Sequence, residues 1–284
     1  EKKVYRPKVP PGQASHHTLI ARNHIYDGGK FFPSAIGIGV ASSHHNSISY
    51  NHVHNFYYTG ISIMGDWGFE LTQAHNNLVE HNYIHHIGQL SRGDRPILSD
   101  MGGIYVVGNQ PKTIIRHNKI HDINALRYGG WGIYLDEGSS QILVENNIVY
   151  RTSHGGFSQH YGKENIIRDN IFAFGQTTQL HRNKRDLKKS REGNFVSFYF
   201  ENNIVYWQEG KFIAGLKKEY QSHAVFKDNI YWKIDKSPVS FGGLNWQKWQ
   251  KGDRNSQIID PLFVAPLQGD FRLRPYSPVK LGNK

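Results

Sequence analysis

The chain has 284 residues, no cysteine, and 34 Lys plus Arg against 23 Asp plus Glu, for a net charge of +11. The missing cysteines exclude disulfide scaffolds, cysteine-ligated zinc and thiol nucleophiles. The positive balance favours an anionic partner, but the basic residues are scattered, and the densest run, His181 to Arg191, reads as a solvated loop rather than a nucleic-acid patch.

The N-terminus, Glu1-Lys2-Lys3-Val4-Tyr5, carries neither an initiator Met nor a hydrophobic signal core, so the chain is expected to be processed or to be part of something longer. No apolar run approaches the roughly 18 residues needed to span a bilayer, and no membrane association is expected. From Ile20 onward one pattern recurs, apolar-x-x-Asn-x-apolar, with its Asn at positions 23, 51, 82, 118, 147, 170, 203 and 229. The spacings are 28, 31, 36, 29, 23, 33 and 26 residues. Three residues before each Asn stands Ile20, Ile48, Val79, Ile115, Val144, Ile167, Phe200 or Phe226, and two after it Ile25, Val53, Ile84, Ile120, Val149, Phe172, Val205 or Tyr231. Segments this short and this rich in β-branched residues predict strands, with the Asn at a bend between two of them. A variable spacing does not suit propeller blades of fixed size. It suits a solenoid whose strands stack in register while its loops vary. The expected fold is all-β, a right-handed parallel β-helix of about eight coils forming one domain over 1–284, with an irregular C-terminal segment from about 235. Stacking then lets each Asn amide bond to the Asn one coil away, about 4.8 Å off.

Position three after the Asn gives Tyr26, His54, His85, His121, Tyr150, Ala173, Tyr206 and Trp232. Ring stacking explains this mostly aromatic column, including its Tyr and Trp members, better than ligation by His54, His85 and His121 does, so no metal and no cofactor is expected.

A second strand per coil carries Gly-rich motifs that align on Ile61, Ile104, Ile133 and Phe157. Placing Ile104, Val106, Ile133 and Leu135 in the core leaves Tyr105, Tyr134, Ser158, Asp136 and His160 pointing outward on neighbouring coils. Asp136 falls in register between Val107 and His160, with Glu137 next to it. Exposed Tyr105 and Tyr134, flanked by Trp131 and Trp67, offer a flat apolar platform for a sugar while the carboxylates supply acid and base. The polar insertion Arg92 to Asp100 lengthens its coil to 36 residues and is placed to wall such a site.

The runs Ser99-Asp-Met-Gly-Gly-Ile-Tyr105, Gly129-Gly-Trp-Gly-Ile-Tyr-Leu-Asp-Glu-Gly-Ser139 and Gln159-His-Tyr-Gly-Lys163 with Asn165, followed by the less specific Asp260-Pro-Leu-Phe-Val264, Asp270-Phe-Arg-Leu273 and Ser277-Pro278, resemble the β-helix enzymes of glycoside hydrolase family 141. The resemblance runs from about His17 to Gly282, and family members are considerably longer at the N-terminus. It implies hydrolysis of plant cell-wall glycans, α-L-fucosides or xylan, by a pair of aspartates that map onto Asp100 and Asp136. On straight strands Asp100 aligns with Gly129, roughly 20 Å from the level of Asp136, whereas a glycosidase needs its carboxyls about 5 to 10 Å apart. Either Gly102 and Gly103 bend Asp100 back, or Asp100 is structural and Glu137 or Asp66 is the partner. In the working assignment Asp100, Asp136, Glu137 and His160 are catalytic, and Tyr105, Tyr134, Trp131, Ser158, Asp66 and Trp67 bind substrate. The expected partner is a polysaccharide or oligosaccharide met by a secreted or periplasmic monomer, with no nucleic acid involved. Two other readings remain open: a polysaccharide lyase on an acidic glycan, which needs a Lys, Arg or Tyr base, and a non-catalytic carbohydrate-binding β-helix.

Overall fold

A computed structural model describes residues 10, 12–183, 195–215 and 223–280. Their strands fall into three parallel sheets of nine, nine and seven strands plus one antiparallel hairpin. The first sheet holds the segments before each Asn, from Leu19–Ala21 to Asp253–Arg254, and the second those after it, from His24–Gly28 to Gln257–Ile258. The third runs from Ile38–Ala41 to Lys211–Ala214. Within each sheet every strand pairs with its counterpart one coil on, so the chain winds as a parallel β-helix.

The bend at the Asn has a definite geometry. The residue before each of the eight Asn, from Arg22 to Asp228, has φ between 53° and 59°. A left-handed conformation costs a non-glycine residue about 1 kcal/mol, and the Asn ladder offsets it. Each Asn from 23 to 203 donates its backbone N–H and its Nδ2 to Oδ1 of the Asn on the next coil, the Nδ2 bonds spanning 2.9 to 3.3 Å. From Asn51 on, Nδ2 also donates to a first-sheet carbonyl one coil back, as Asn118 does to Val79. The ladder ends on Ser256 Oγ, which accepts from Asn229 N at 2.8 Å, so a ninth rung without Asn follows the eight.

Both apolar columns point inward: from Ile48 to Phe200 in the first sheet and from Val53 to Tyr231 in the second, side chains are fully buried. The third-sheet alignment holds, since Ile61, Ile104, Ile133 and Phe157 are paired in succession. Just before these residues the interior is too narrow for a side chain. A Cβ on Gly132 would lie 2.0 Å from Val149 Cγ1 and 2.7 Å from Gly156 O.

Rings of the aromatic column stack at 4.7 to 5.3 Å between centroids from Tyr26 through His54, His85 and His121 to Tyr150. Beyond it the outer face of the second sheet turns apolar, with Ile148, Ile171, Ile204 and Ile230 in register. The hairpin Phe263–Ala265 with Asp270–Leu273 covers that face, placing Phe263 and Phe271 against Tyr150, Tyr206 and the isoleucines. Phe241 and Trp249 pack on Phe212 and Tyr231 and close the core at the last coils.

Candidate active site

The outer face of the third sheet presents one residue per coil in register: Ser62, Tyr105, Tyr134, Ser158, His181 and Ala214. Alternation on a strand puts all six on the side opposite Ile104 and Ile133. The last four of them line a cavity of about 460 Å³, together with Asp100, Asp136, Glu137, His160 and Trp131.

Asp136 is the best-connected group there and is 6% exposed. Tyr105 donates its hydroxyl to Asp136 Oδ2 at 2.5 Å, Tyr134 donates to Oδ1 at 2.9 Å, and His160 Nδ1 stands 2.8 Å from Oδ1. Burial pushes the Asp136 carboxyl up, but the bonds from His160, Tyr105 and Tyr134 outweigh it and hold the acid below its ordinary value. Asp100 goes the other way. Burial and the negative charge of Asp136 raise it, and the Tyr134 and Tyr128 hydroxyls offset only part of the rise.

Both carboxyls border the Tyr134 phenol and the same cavity, so the wide separation expected from straight strands does not hold. The bend lies at Asp100 itself, which has φ 59°, rather than at Gly102 and Gly103, which continue the strand. Gly129 makes room for it: a Cβ there would stand 2.6 Å from Asp100 N.

Three expectations need correction. Tyr105 and Tyr134 are not an exposed platform, being 9% and 5% exposed and stacked on each other at 4.6 Å, because Trp131 and Tyr58 pack around them. Trp131 is itself buried, with one face 5.3 Å from the His181 ring. His181 does not open a solvated loop. It sits in the strand Thr178–Arg182 and accepts from or donates to Ser158 Oγ at 3.0 Å, while residues 184–191 lie outside the described residues.

Glu137 takes the Tyr161 hydroxyl at 3.0 Å and has His160 Nδ1 3.8 Å away. Asp66 and Trp67 follow the strand Ile61–Met64, two coils before Asp136, and are not among the residues lining the cavity, and Trp67 is 66% exposed. Sequence reasoning missed Tyr128, His154, Thr177, Thr178, Asn183 and Ala214, which also line the cavity. Ala214 was detectable, because its register follows from the same two-residue alternation carried two coils past Ser158. Tyr58 was not, since it reaches the cluster from a turn; burial and then the charges of Asp100 and Asp136 push its phenol up to about 12.

Residues 12–185 match the right-handed beta helix region family. The chain belongs to that family. No curated protein and no solved structure matches it. Right-handed β-helices serve glycosidases, lyases and non-catalytic binding proteins alike, so membership establishes the architecture and leaves the chemistry to the residues on its third sheet.

Proposed function

We propose that this chain is a glycoside hydrolase in which Asp100 donates the proton to the leaving oxygen and Asp136 acts as the ionised carboxylate, nucleophile or base. The observation that carries this reading is the pair itself. Two carboxyls border one cavity and one phenol, and their surroundings push their protonation in opposite directions. Divergent environments of that kind divide acid from base roles between like groups. Tyr128, exposed on the wall, gives a sugar ring an apolar face, and Glu137 and Asn183 give its hydroxyls polar partners. The family 141 resemblance narrows the substrate to plant cell-wall polysaccharide, α-L-fucosides or xylan, and a polymer of that kind is met outside the cytoplasm.

Elimination is less well served. Among the described residues lining the cavity none is Lys or Arg, and burial beside Asp136 raises the Tyr105 and Tyr134 phenols far above any pH at which they act as bases. The test is incubation with fucosylated glycans and with xylan. New reducing ends without near-ultraviolet absorbance, lost in both Asp100→Asn and Asp136→Asn, support the proposal. Absorbance from a new C=C bond, or full turnover in either variant, overturns it, and binding without product over days supports the non-catalytic reading instead.

A further inference from the structure

Thirteen of the seventeen histidines fall between His16 and His121, and ring stacking within single columns does not account for all of their contacts. On the first coils the second sheet carries two outward columns, the residue directly after the Asn and the residue two further on. Strand alternation places His24 in one column, with His52 beside it in register, and places His54 and His85 in the other. Within a column the rings are nearly parallel, at 4.6 Å for His24 with His52 and 4.7 Å for His54 with His85. Between columns the rings are tilted to each other and meet nitrogen to nitrogen. His24 Nε2 is 2.7 Å from His54 Nε2, and His52 Nε2 is 2.7 Å from His85 Nε2.

We propose that His24, His52 and His54 form a binding site for a divalent transition ion of the Zn²⁺ class. One ligand atom from each of the three lies within 4.8 Å of the other two. Tetrahedral ligation at about 2.05 Å sets neighbouring nitrogens roughly 3.3 Å apart, so the facing pair opens by about half an ångström and His52 moves in. Asn55 Oδ1 accepts from His54 Nδ1 and so leaves His54 Nε2 with its lone pair outward. A second contact that fixes the tautomer of a ligating imidazole in this way is the usual support of such sites. His24 is exposed and the other two are half-buried, so an ion reaches them from solvent and water fills a fourth position. An all-imidazole set selects Zn²⁺, Cu²⁺ or Ni²⁺ over Mg²⁺ and Ca²⁺.

The remaining histidine groups are less suited. In the group of His86, His121 and Asp122, the carboxylate is already paired with Arg151 at 2.6 Å. In the group of His44, His45 and His75, the first two are sequence neighbours whose rings stand nearly perpendicular, at 80°. The proposed site lies on a different sheet from the carboxylate cavity, so the ion serves as a clamp between the first two coils rather than as a participant at Asp136.

The experiment is titration calorimetry of the chelator-treated full chain with Zn²⁺ at neutral pH, paired with melting curves. The wild type is expected to bind and to melt higher with the ion. The His24→Ala/His54→Ala double variant is expected to bind at least about tenfold more weakly, with an unchanged circular dichroism spectrum, while His44→Ala/His75→Ala retains the tight phase. Cu²⁺ in place of Zn²⁺ is expected to give a resonance spectrum with nitrogen couplings that the first double variant loses. Absence of binding by the wild type, or equal affinity in His24→Ala/His54→Ala, overturns the proposal.

Discussion

The Tyr105 hydroxyl reaches from one coil to the next and donates to Asp136 Oδ2 at 2.5 Å. Its ring is stacked on Tyr134, whose own hydroxyl donates to the other carboxylate oxygen, so two buried rings deliver two donors to one acid. Removing one donor raises the affinity of Asp136 for a proton. Tyr105→Phe is expected to shift the acid limb of the kcat/KM profile to higher pH and to lower its plateau about 10-fold to 100-fold. An acid limb identical to that of the wild type would show that Asp136 is not the group the profile reports.

Asp136→Asn is expected to remove most turnover. Because Asp136 is buried, the same substitution is also expected to cost stability. An Asn presents an NH₂ where a carboxylate oxygen accepts, so one of the Tyr105, Tyr134 and His160 donors loses its acceptor, at a cost of about 1 to 3 kcal/mol. Because the folded carboxyl is held below its ordinary value of 3.8, its contribution is present at pH 7 and is lost as pH falls through the folded value. Urea denaturation at pH 7 and again near pH 3 checks the sign. The gap between wild type and variant should narrow at the lower pH.

The columns were legible in the sequence because a solenoid repeats its packing problem. Every coil needs an apolar side chain inside and an Asn just after the left-handed corner, so each position is stated eight times over. The outward direction of Tyr105, Tyr134, Ser158 and His160 followed from the same alternation. What sits on top of an outward residue is not repeated. Trp131 and Tyr58 cover the tyrosines through contacts peculiar to this place, and the left-handed turn at Asp100 depends on the space above Gly129. The C-terminal hairpin over Ile148, Ile171 and Ile204 escaped notice for a related reason, since an apolar outer column signals a cover only once its outward direction is known.

The Asn ladder carries stability unevenly along the axis. Asn118 accepts from both nitrogens of Asn82 and donates to Val79 O and to Asn147, and it is 1% exposed. Asn118→Ala strands the buried Asn82 donors and is expected to cost about 3 to 5 kcal/mol. Asn23, at the first rung, donates to Asn51 and receives no ladder bond from a preceding Asn among the described residues. Its replacement by Ala is expected to cost about 1 kcal/mol. Equal losses at both positions, measured by chemical denaturation, would mean that the solenoid does not read its rungs as separate neighbours.

Gly132 tests the packing beneath the site. It precedes Ile133 and lies two residues before Tyr134, and the space a Cβ would need is taken by Val149 from the second sheet and by Gly156 O from the next coil. Gly132→Ala is therefore expected to destabilise the fold by about 2 to 3 kcal/mol and to displace Tyr134 from Asp136. Val149→Ala alone opens a cavity in the core and costs about 2 kcal/mol. In the double variant the side-chain clash at 2.0 Å is gone while the 2.7 Å approach to the carbonyl persists. The double loss should accordingly fall short of the sum of the single losses by about 1 kcal/mol, the sign of two residues sharing one space. Strict additivity in a double-mutant cycle would instead place the strain wholly at the backbone contact with Gly156.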